Sequence, residues 1–334
     1  MYKTIIRPFL FSFTPEFSHK IVENILFFTP EFFTKIFFYN KEDSRLAVNL
    51  FGKLFLNPIG VAAGLDKDCK TASHYINMGF GYSVVGTVMT EPRKGSEKPR
   101  LIRNNKEQSL LNSLSFPSDG AKVIKNRILR LAKYKEKILV SVAGISMEDV
   151  IQNIKTFKGD CFAFEINISS PNSEKLKSFN NPESIESILK NVRGITPNPI
   201  LIKLPRLEDL SLYTELIYPM TKFKNVGVVL ANSLPIEENV LKAGRGGKSG
   251  KPLFASTLNI LKIVRSEFPE ICIVCSGGIF SPQDVWGLLE EGANAVQMYT
   301  SIIYEGPGIA KKLKKGLIKL LDENKVDNLQ NIIN

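Results

Sequence analysis

Short apolar runs alternate with segments of helical period along most of the chain. The runs are apolar on both faces, as strands are when a parallel sheet is covered on both sides. They lie near residues 59–62, 82–86, 138–142, 161–167, 199–203, 227–231, 271–276 and 295–299. The helical segments lie near residues 71–78, 120–134, 147–156, 182–192, 207–217, 254–268, 281–291 and 308–324. Eight strand–helix units in this order predict an α/β fold, a (β/α)8 TIM barrel.

An open, doubly wound sheet is the alternative, but the glycine fingerprint of dinucleotide-binding sheets is missing after the first strand. Before the barrel, residues 45–56 predict a small hairpin that turns at Phe51-Gly52.

Residues 1–40 follow a different pattern and contain 10 of the 22 phenylalanines. The segments Phe13-Thr-Pro-Glu-Phe17 and Phe28-Thr-Pro-Glu-Phe32 are near-copies. Each is typical of a helix start, with Thr as N-cap, Pro at the first helical position and Glu at the positive end of the dipole. We therefore predict two helices, at 15–28 and 30–38, that form an extension over residues 1–40 before a barrel over residues 41–334.

The aromatic content of this extension exceeds what one buried stripe needs. It favours either an apolar surface that lies on a membrane or lines an apolar tunnel, or a cover that packs on the barrel.

The segment Glu165–Ser173 begins as a strand and ends as a polar loop, because Pro171 disfavours helix at the residue before it. Two amides, Asn167 and Asn172, flank two serines there. Such groups can bind a flat polar ring by hydrogen bonds. The alternative is an Asn/Ser turn that only caps its own backbone.

Other strand ends carry further candidate groups, since chemistry in barrels sits at the carboxyl ends of the strands. Gly277-Gly278 and Thr300 follow the last two strands, where barrels commonly hold a phosphate on backbone N–H groups. The segment Gly244–Gly250 predicts a flexible glycine loop, but it lacks P-loop spacing, which excludes a nucleotide triphosphate site. With lysines at positions 67 and 203, these ends indicate a phosphorylated cofactor beside a flat anionic substrate.

The formal charge is +11, which favours anionic partners such as phosphate cofactors or a membrane surface, although solvated lysines alone could account for it. No RNA-binding signature or basic helix run occurs, so no nucleic-acid partner is predicted. Cys272 and Cys275 lie within a strand and the chain has two histidines, so no metal site is predicted. No disulfide framework, signal peptide or spanning apolar run is visible, which is typical of a cytosolic protein.

The segment Asn57-Pro-Ile-Gly-Val-Ala-Ala-Gly-Leu-Asp-Lys67 resembles the opening strand of the dihydroorotate dehydrogenases. Further segments follow in that family's order: Gly79-Phe-Gly81, Val85-Gly-Thr87, Lys98-Pro-Arg100, Asn167-Ile-Ser-Ser-Pro-Asn172, Lys248-Ser-Gly-Lys-Pro252, Gly292-Ala293 and Tyr299-Thr300. The resemblance runs from about residue 3 to 320. It implies an FMN-containing barrel that oxidises dihydroorotate to orotate in pyrimidine synthesis.

Ser170 stands where the family's membrane class carries serine as catalytic base and its soluble class carries cysteine. The membrane class also has an amino-terminal helix pair that admits quinone from the bilayer, and His19 and Arg103 match its quinone-site residues. The resemblance thus implies quinone as electron acceptor and a peripheral position on the cytoplasmic face of the cell membrane.

The resemblance also implies roles for the strand-end residues. For substrate binding these are Lys67, Asn112, Phe116, Asn167, Asn172, Ser173, Asn232 and Ser233. For FMN they are Ala62, Ala63, Gly64, Lys67, Thr87, Asn167, Lys203, Gly250, Gly277, Gly278, Tyr299 and Thr300. A free serine is a poor base, so Ser170 would need hydrogen bonding and a proton relay, for which Ser173 could hold a water.

Several positions depart from the family pattern: Ser113 and Ser115 replace Arg and Gly, Ala143 replaces an expected asparagine, and Arg206 ends a shortened Lys-Leu-Pro-Arg segment. Ala231-Asn-Ser233 replaces Thr-Asn-Thr. These departures leave alternatives open: a fumarate-type acceptor, an FMN barrel acting on uracil-type rings, a barrel that binds a phosphate ester without redox chemistry, or an inactive flavin-binding paralogue.

Overall fold

The computed structural model describes residues 1–38, 42–169 and 179–333. The chain begins with a π-helical turn, Tyr2–Ile6, followed by helices α1 (Arg7–Phe11), α2 (Pro15–Phe28) and α3 (Glu31–Phe37). The two predicted helices are present, and a helical segment that was not predicted precedes them. Thr14 is the N-cap residue of α2 and Pro15 its first helical residue, as predicted, although the Thr14 side chain makes no cap hydrogen bond. At α3 the predicted cap is wrong, because Pro30 is the N-cap and the Thr29 hydroxyl donates back to the Ile25 carbonyl at 2.6 Å.

These helices contact the barrel through charge pairs as well as through apolar side chains such as Phe11 and Leu26. Each predicted helix start supplies a glutamate: Glu16 pairs with Arg100 at 2.8 Å and Glu31 pairs with Lys133 at 2.7 Å. Between them Glu23 pairs with Lys70 at 3.1 Å. Most exposed large apolar side chains of the described residues lie in residues 1–37. The extension therefore packs on the barrel through charge pairs and a few apolar side chains, among them Phe11 and Leu26, and leaves a large apolar surface exposed.

A short hairpin follows, formed by β1 (Val48–Leu50) and β2 (Lys53–Phe55). Phe51 and Gly52 both have positive φ, 52° and 78°, as the two central residues of a tight type I′ turn require. The predicted hairpin is thus confirmed. The Phe55 ring contacts the rings of Tyr82 and Phe162 edge-on, so the hairpin lies against the amino-terminal ends of barrel strands.

Eight parallel strands form a closed barrel in the order β10-β13-β14-β3-β4-β7-β8-β9, which confirms the predicted fold class. Their bounds are β3 (Ile59–Asp66), β4 (Tyr82–Val88), β7 (Ile138–Val142), β8 (Ala163–Asn167), β9 (Ile200–Lys203), β10 (Val226–Leu230), β13 (Cys272–Ser276) and β14 (Ala295–Met298). Most positions of these strands are buried, because side chains fill the barrel interior on one face and pack against helices on the other.

The helices that surround the barrel within the described residues are α4 (Ala72–Asn77), α5 (Ala121–Arg130), α6 (Met147–Phe157), α7 (Pro182–Arg193), α8 (Leu212–Thr221), α9 (Phe254–Glu267), α10 (Pro282–Glu290), α11 (Thr300–Glu305) and α12 (Ile309–Asn324). Local sequence fixes several starts. Ser281 and Asp284 form a reciprocal capping box at α10, and the side chains of Ser146 and Asn181 cap α6 and α7.

A second, antiparallel sheet stands beside the barrel mouth, in the order β11-β12-β6-β5. Its strands are β5 (Leu101–Asn104), β6 (Ser109–Asn112), β11 (Leu234–Glu237) and β12 (Arg245–Gly250). The segment predicted as a flexible glycine loop is therefore a paired strand, and that prediction is wrong. A Cβ on Gly246 would lie 2.5 Å from the Asn112 carbonyl oxygen, so glycine permits the close approach of β6.

Within the described part of the chain, no helix is both long enough and apolar enough to cross a bilayer.

Candidate active site

A cavity opens at the carboxyl ends of the barrel strands, beside the second sheet. It brings together every predicted substrate and cofactor residue that the structure describes: Ala62, Ala63, Gly64, Lys67, Thr87, Asn112, Phe116, Asn167, Lys203, Asn232, Ser233, Gly250, Gly277, Gly278, Tyr299 and Thr300. Ser170, Asn172 and Ser173 lie outside the described residues. The roles given to these residues stay predictions.

Glu165 on β8 is a buried carboxylate beside the cavity residues Lys203 and Gln297, and no role was predicted for it. Glu165 is fully buried and accepts hydrogen bonds from Ser141 Oγ at 2.9 Å and Gln297 Nε2 at 3.2 Å. Lys203 Nζ lies 3.5 Å from the same carboxylate. The available signal was the charged residue itself, inside a strand that is otherwise apolar up to Asn167.

A chain of hydrogen bonds links two amides of the site, Asn167 and Asn232, through Ser169, and the third amide, Asn112, bonds separately. Asn167 Nδ2 donates to Thr87 Oγ1 at 3.0 Å, and its Oδ1 accepts from the Ser169 backbone N–H at 3.2 Å. Asn232 Nδ2 donates to Ser169 Oγ at 2.9 Å, and Asn112 Nδ2 donates to the Gly247 carbonyl at 3.1 Å. The turn-capping alternative therefore describes part of what Asn167 does. The chain also holds the amide planes in fixed orientations, as ring recognition requires.

Lys67 is the second cation of the cavity, and its Nζ donates to the Gly64 carbonyl at 2.7 Å. Burial lowers the pKa of Lys67, and the nearby carboxylates of Glu23, Asp68 and Asp66 act in the opposite direction. The largely desolvated ammonium of Lys67 would donate a charge-assisted hydrogen bond to a carboxylate that enters the cavity.

The other end of the cavity is built from backbone. Gly250, Gly277 and Gly278 have positive φ, at 111°, 123° and 82°, which L side chains rarely adopt. A Cβ on Gly278 would lie 2.2 Å from the backbone nitrogen of Phe254, the first residue of α9. Backbone N–H groups and a helix N-terminus therefore meet at this end, as in phosphate sites.

These features match the parts of a flavin nucleotide. The amide oxygen Gln297 Oε1 is buried and has no partner within the described residues, and Gln297 lines the cavity. Gln297 Oε1 would accept a hydrogen bond from a ring N–H, and the two lysines would donate to ring oxygens. The backbone N–H groups at the glycine end would bind a phosphate. The donor and acceptor set thus fits a flat polar ring that carries a phosphate.

The family model for dihydroorotate dehydrogenase matches residues 45–321, and this match decides the family. The chain belongs to the dihydroorotate dehydrogenase family. It is 34% identical to the dihydroorotate dehydrogenase (quinone) of Nitratiruptor, over 96% of this chain and 95% of the relative. It is 32% identical to the protein of the same name from Christiangramia forsetii, over 96% and 99%.

The ligand-free dihydroorotate dehydrogenase of Eimeria tenella superposes with a TM-score of 0.86 and 25% identity, over 96% of this chain and 98% of that one. The family predicted from the sequence motifs is thereby confirmed. As a member of a flavin-dependent family, the dehydrogenase is expected to hold its flavin in the cavity described above.

The predicted quinone residues of this dehydrogenase lie at the extension. Within the described residues, neither lines the cavity. Arg103 donates to the carbonyls of Leu10 and Phe13, and its guanidinium lies 4.3 Å from the Phe11 ring centroid, so it holds the connection between α1 and α2. His19 is half-buried, and burial together with the charges of Lys67 and Lys70 lowers its pKa to about 3.

Two departures from the family pattern have local explanations and a third has none. Ser115 has φ of +53°, where glycine is usual in the dehydrogenases, and its hydroxyl accepts from Ser96 Oγ at 2.7 Å. Ala143 is buried, and its carbonyl accepts from Asn153 Nδ2 at 3.0 Å. The Ser113 hydroxyl is buried without a partner in the described residues, and nothing in the structure explains that substitution.

Proposed function

We propose that the protein oxidises dihydroorotate to orotate, with FMN as cofactor and a quinone as electron acceptor. The relatives' name, dihydroorotate dehydrogenase (quinone), confirms the predicted activity. The observation that carries the proposal for this chain is the cavity, which is lined by two lysines, by three asparagines and by the backbone of Gly250, Gly277 and Gly278.

The residues divide the work by chemical type. Lys67 would bind the substrate carboxylate, and the side-chain amides of Asn112, Asn167 and Asn232 would pair with the N–H and C=O groups of the pyrimidine ring. Lys203, held beside Glu165, would place a positive charge next to the flavin ring, where charge develops during the reaction. FMN, when bound, would accept the hydride from the substrate.

We further propose Ser170 as the base that takes the C5 proton of the substrate. The described segment ends at Ser169, whose backbone is fixed by Asn167 and Asn232 at the barrel mouth. Ser170 is the next residue in the sequence after this segment, which contacts the cavity residue Asn232.

Residues 1–40 would form the quinone-access unit of this enzyme and residues 41–334 its catalytic unit. The outward phenylalanines support a peripheral position on the cytoplasmic face of the cell membrane, and the exposed Lys20 and Lys35 would suit anionic headgroups. His19 lies close enough to Lys67 for its pKa to be affected, which supports a route from the extension to the cavity.

Anaerobic addition of dihydroorotate to the purified protein tests this function. We expect the flavin absorbance to bleach, and to recover on addition of a quinone faster than on addition of fumarate. Ser170→Ala should bind orotate normally and bleach at least ~10²-fold more slowly, the scale of lost general-base catalysis. A flavin that dihydroorotate does not reduce would refute the activity. Faster recovery with fumarate would refute the quinone, and normal bleaching in Ser170→Ala would remove Ser170 from the mechanism.

A further inference from the structure

Arg206 is a buried cation beside the glycine end of the cavity. Its side chain is 5% exposed, and its Nη2 would lie 2.9 Å from a Cβ placed on Gly277. The guanidinium therefore lies directly against the backbone at position 277, where the φ of 123° itself favours glycine. Arg206 itself does not line the cavity but lies behind the Gly277 backbone that does.

The hydrogen bonds of Arg206 join the start of α9 to the segment that follows β10. Nη1 donates to Ser256 Oγ at 2.7 Å and Nη2 to Thr257 Oγ1 at 2.9 Å, both in the first turn of α9. Nε donates to the Asn232 carbonyl at 3.3 Å. All of these acceptors are neutral, and within the described residues Arg206 forms no ion pair with a carboxylate.

The electrostatic setting makes this arrangement costly without an anion. The N-terminus of α9 is the positive end of a helix dipole, and its first turn contains no acidic residue and no side-chain cap. A guanidinium placed there adds a second positive charge in a buried site, where an uncompensated charge is strongly unfavourable. Gly277 lies next to this guanidinium, and Gly278 lies next to the backbone nitrogen of Phe254 at the start of α9.

We infer that Arg206 supplies the charge that recognises the phosphate of FMN, acting through the Gly277-Gly278 backbone, and that it makes the protein select FMN over unphosphorylated riboflavin. The inference rests on the proposed flavin cofactor. Arg206 is a positioning residue here, because its charge reaches the phosphate through the loop and the first turn of α9. A dianionic phosphate would offset both positive charges at once.

The test compares two ligands that differ only in the phosphate. Full-length protein is stripped of flavin, and the dissociation constants of FMN and riboflavin are measured by flavin fluorescence. In Arg206→Gln the ratio of riboflavin to FMN dissociation constants should fall at least ~10-fold, since a charge-assisted contact is lost, while riboflavin affinity stays unchanged. Arg206→Lys keeps the charge on a different head group, so the ratio should fall less, by about threefold.

Arg265→Gln is the matched control. Arg265 is a partly buried arginine on the same helix, near its other end, and it donates to the carbonyls of Gly292, Phe268 and Pro269. Its loss should leave the ratio unchanged whatever it does to stability.

An Arg206→Gln protein that loses both affinities equally, or neither, would overturn the inference, because a residue that only braces α9 cannot distinguish the two ligands. If Arg206→Gln does not fold, an unchanged ratio in Arg206→Lys would overturn it. Wild-type protein that binds neither ligand would instead refute the flavin cofactor, and the inference with it.

Discussion

At the scale of single residues, substitution of Glu165 is expected to have the largest effect on the free energy of unfolding. It is the only carboxylate in direct contact with Lys203 among the described residues, and both side chains are almost fully buried. Removing one partner of a buried pair leaves the other charge uncompensated, which costs far more than losing a neutral hydrogen bond.

We expect Glu165→Gln to lower the free energy of unfolding by about 3 kcal/mol, at the low end for a broken buried pair. The new NH2 group can still hydrogen-bond to Gln297, whose amide can turn its unpartnered Oε1 toward it, so the expected cost comes from the charge lost beside Lys203. Ser141→Ala, which removes only the neutral partner of the same carboxylate, should cost about 1 kcal/mol. Urea unfolding of the FMN-saturated proteins measures both. Equal costs would mean that the Glu165 charge does not balance Lys203.

At the scale of elements, α2 connects the extension to the site. Its Glu23 pairs with Lys70, and its His19 lies close enough to Lys67 and Lys70 for their charges to affect its pKa. The folded-state pKa of His19 is lowered from 6.5 to about 3. Docked α2 therefore keeps a neutral imidazole, whereas released α2 takes up a proton below pH 6.5. This contribution to docking is complete above pH 6.5 and is lost progressively as the pH falls toward 3.

Hydrogen exchange of α2 amides measures this effect. Between pH 7.5 and 5.5, after correction for intrinsic rates, exchange in the wild type should accelerate about tenfold more than in His19→Gln. The carboxylates of Glu16, Glu23 and Glu31 are shared by both proteins and cancel in the comparison. The same acceleration in both proteins would show that His19 does not couple α2 docking to pH.

The elements also show what sequence reasoning could reach. The eight barrel strands and the eight predicted helices end within five residues of their predicted bounds, because two-sided apolar runs and capping residues such as Ser281 are local signals, whereas the short α11 was not predicted. The second sheet was missed, since β5, β6 and β11 are four residues each and β12 is mostly glycine and lysine. Its pairing depends on contacts between positions 112 and 247, far apart in the chain. Arg206 was noticed only as a departure, because its neighbours Ser256 and Thr257 come from another helix.

At the scale of the whole molecule, one side is set apart by its exposed phenylalanines. Phe28 is 79% exposed and Phe37 is 77% exposed, so changing either costs the fold little. If this face lies in a membrane, the double variant Phe28→Ser/Phe37→Ser should bind anionic liposomes at least ~10-fold more weakly.

Leu54→Ser/Val240→Ser is the control, since both side chains are exposed, at 66% and 57%, outside the extension. Cosedimentation with liposomes should distinguish the pairs, and quinone turnover should fall only in the first. Unchanged binding in the phenylalanine variant would place the membrane contact elsewhere or remove it.

The two sides of the extension are expected to tolerate different substitutions. The side that contacts the barrel depends on specific partners, both charge pairs such as Glu16–Arg100 and Glu23–Lys70 and apolar contacts such as that of Phe11 with Tyr304. On the exposed side the phenylalanines contact mainly one another, as in the pairs Phe27–Phe28 and Phe32–Phe33, and these positions need only to stay apolar. Leucine or isoleucine should therefore replace the outer phenylalanines freely, one at a time. Residues of the extension that contact the barrel are thus expected to change together with their partners. Exposed residues of the same helices are expected to change independently, as long as they stay apolar.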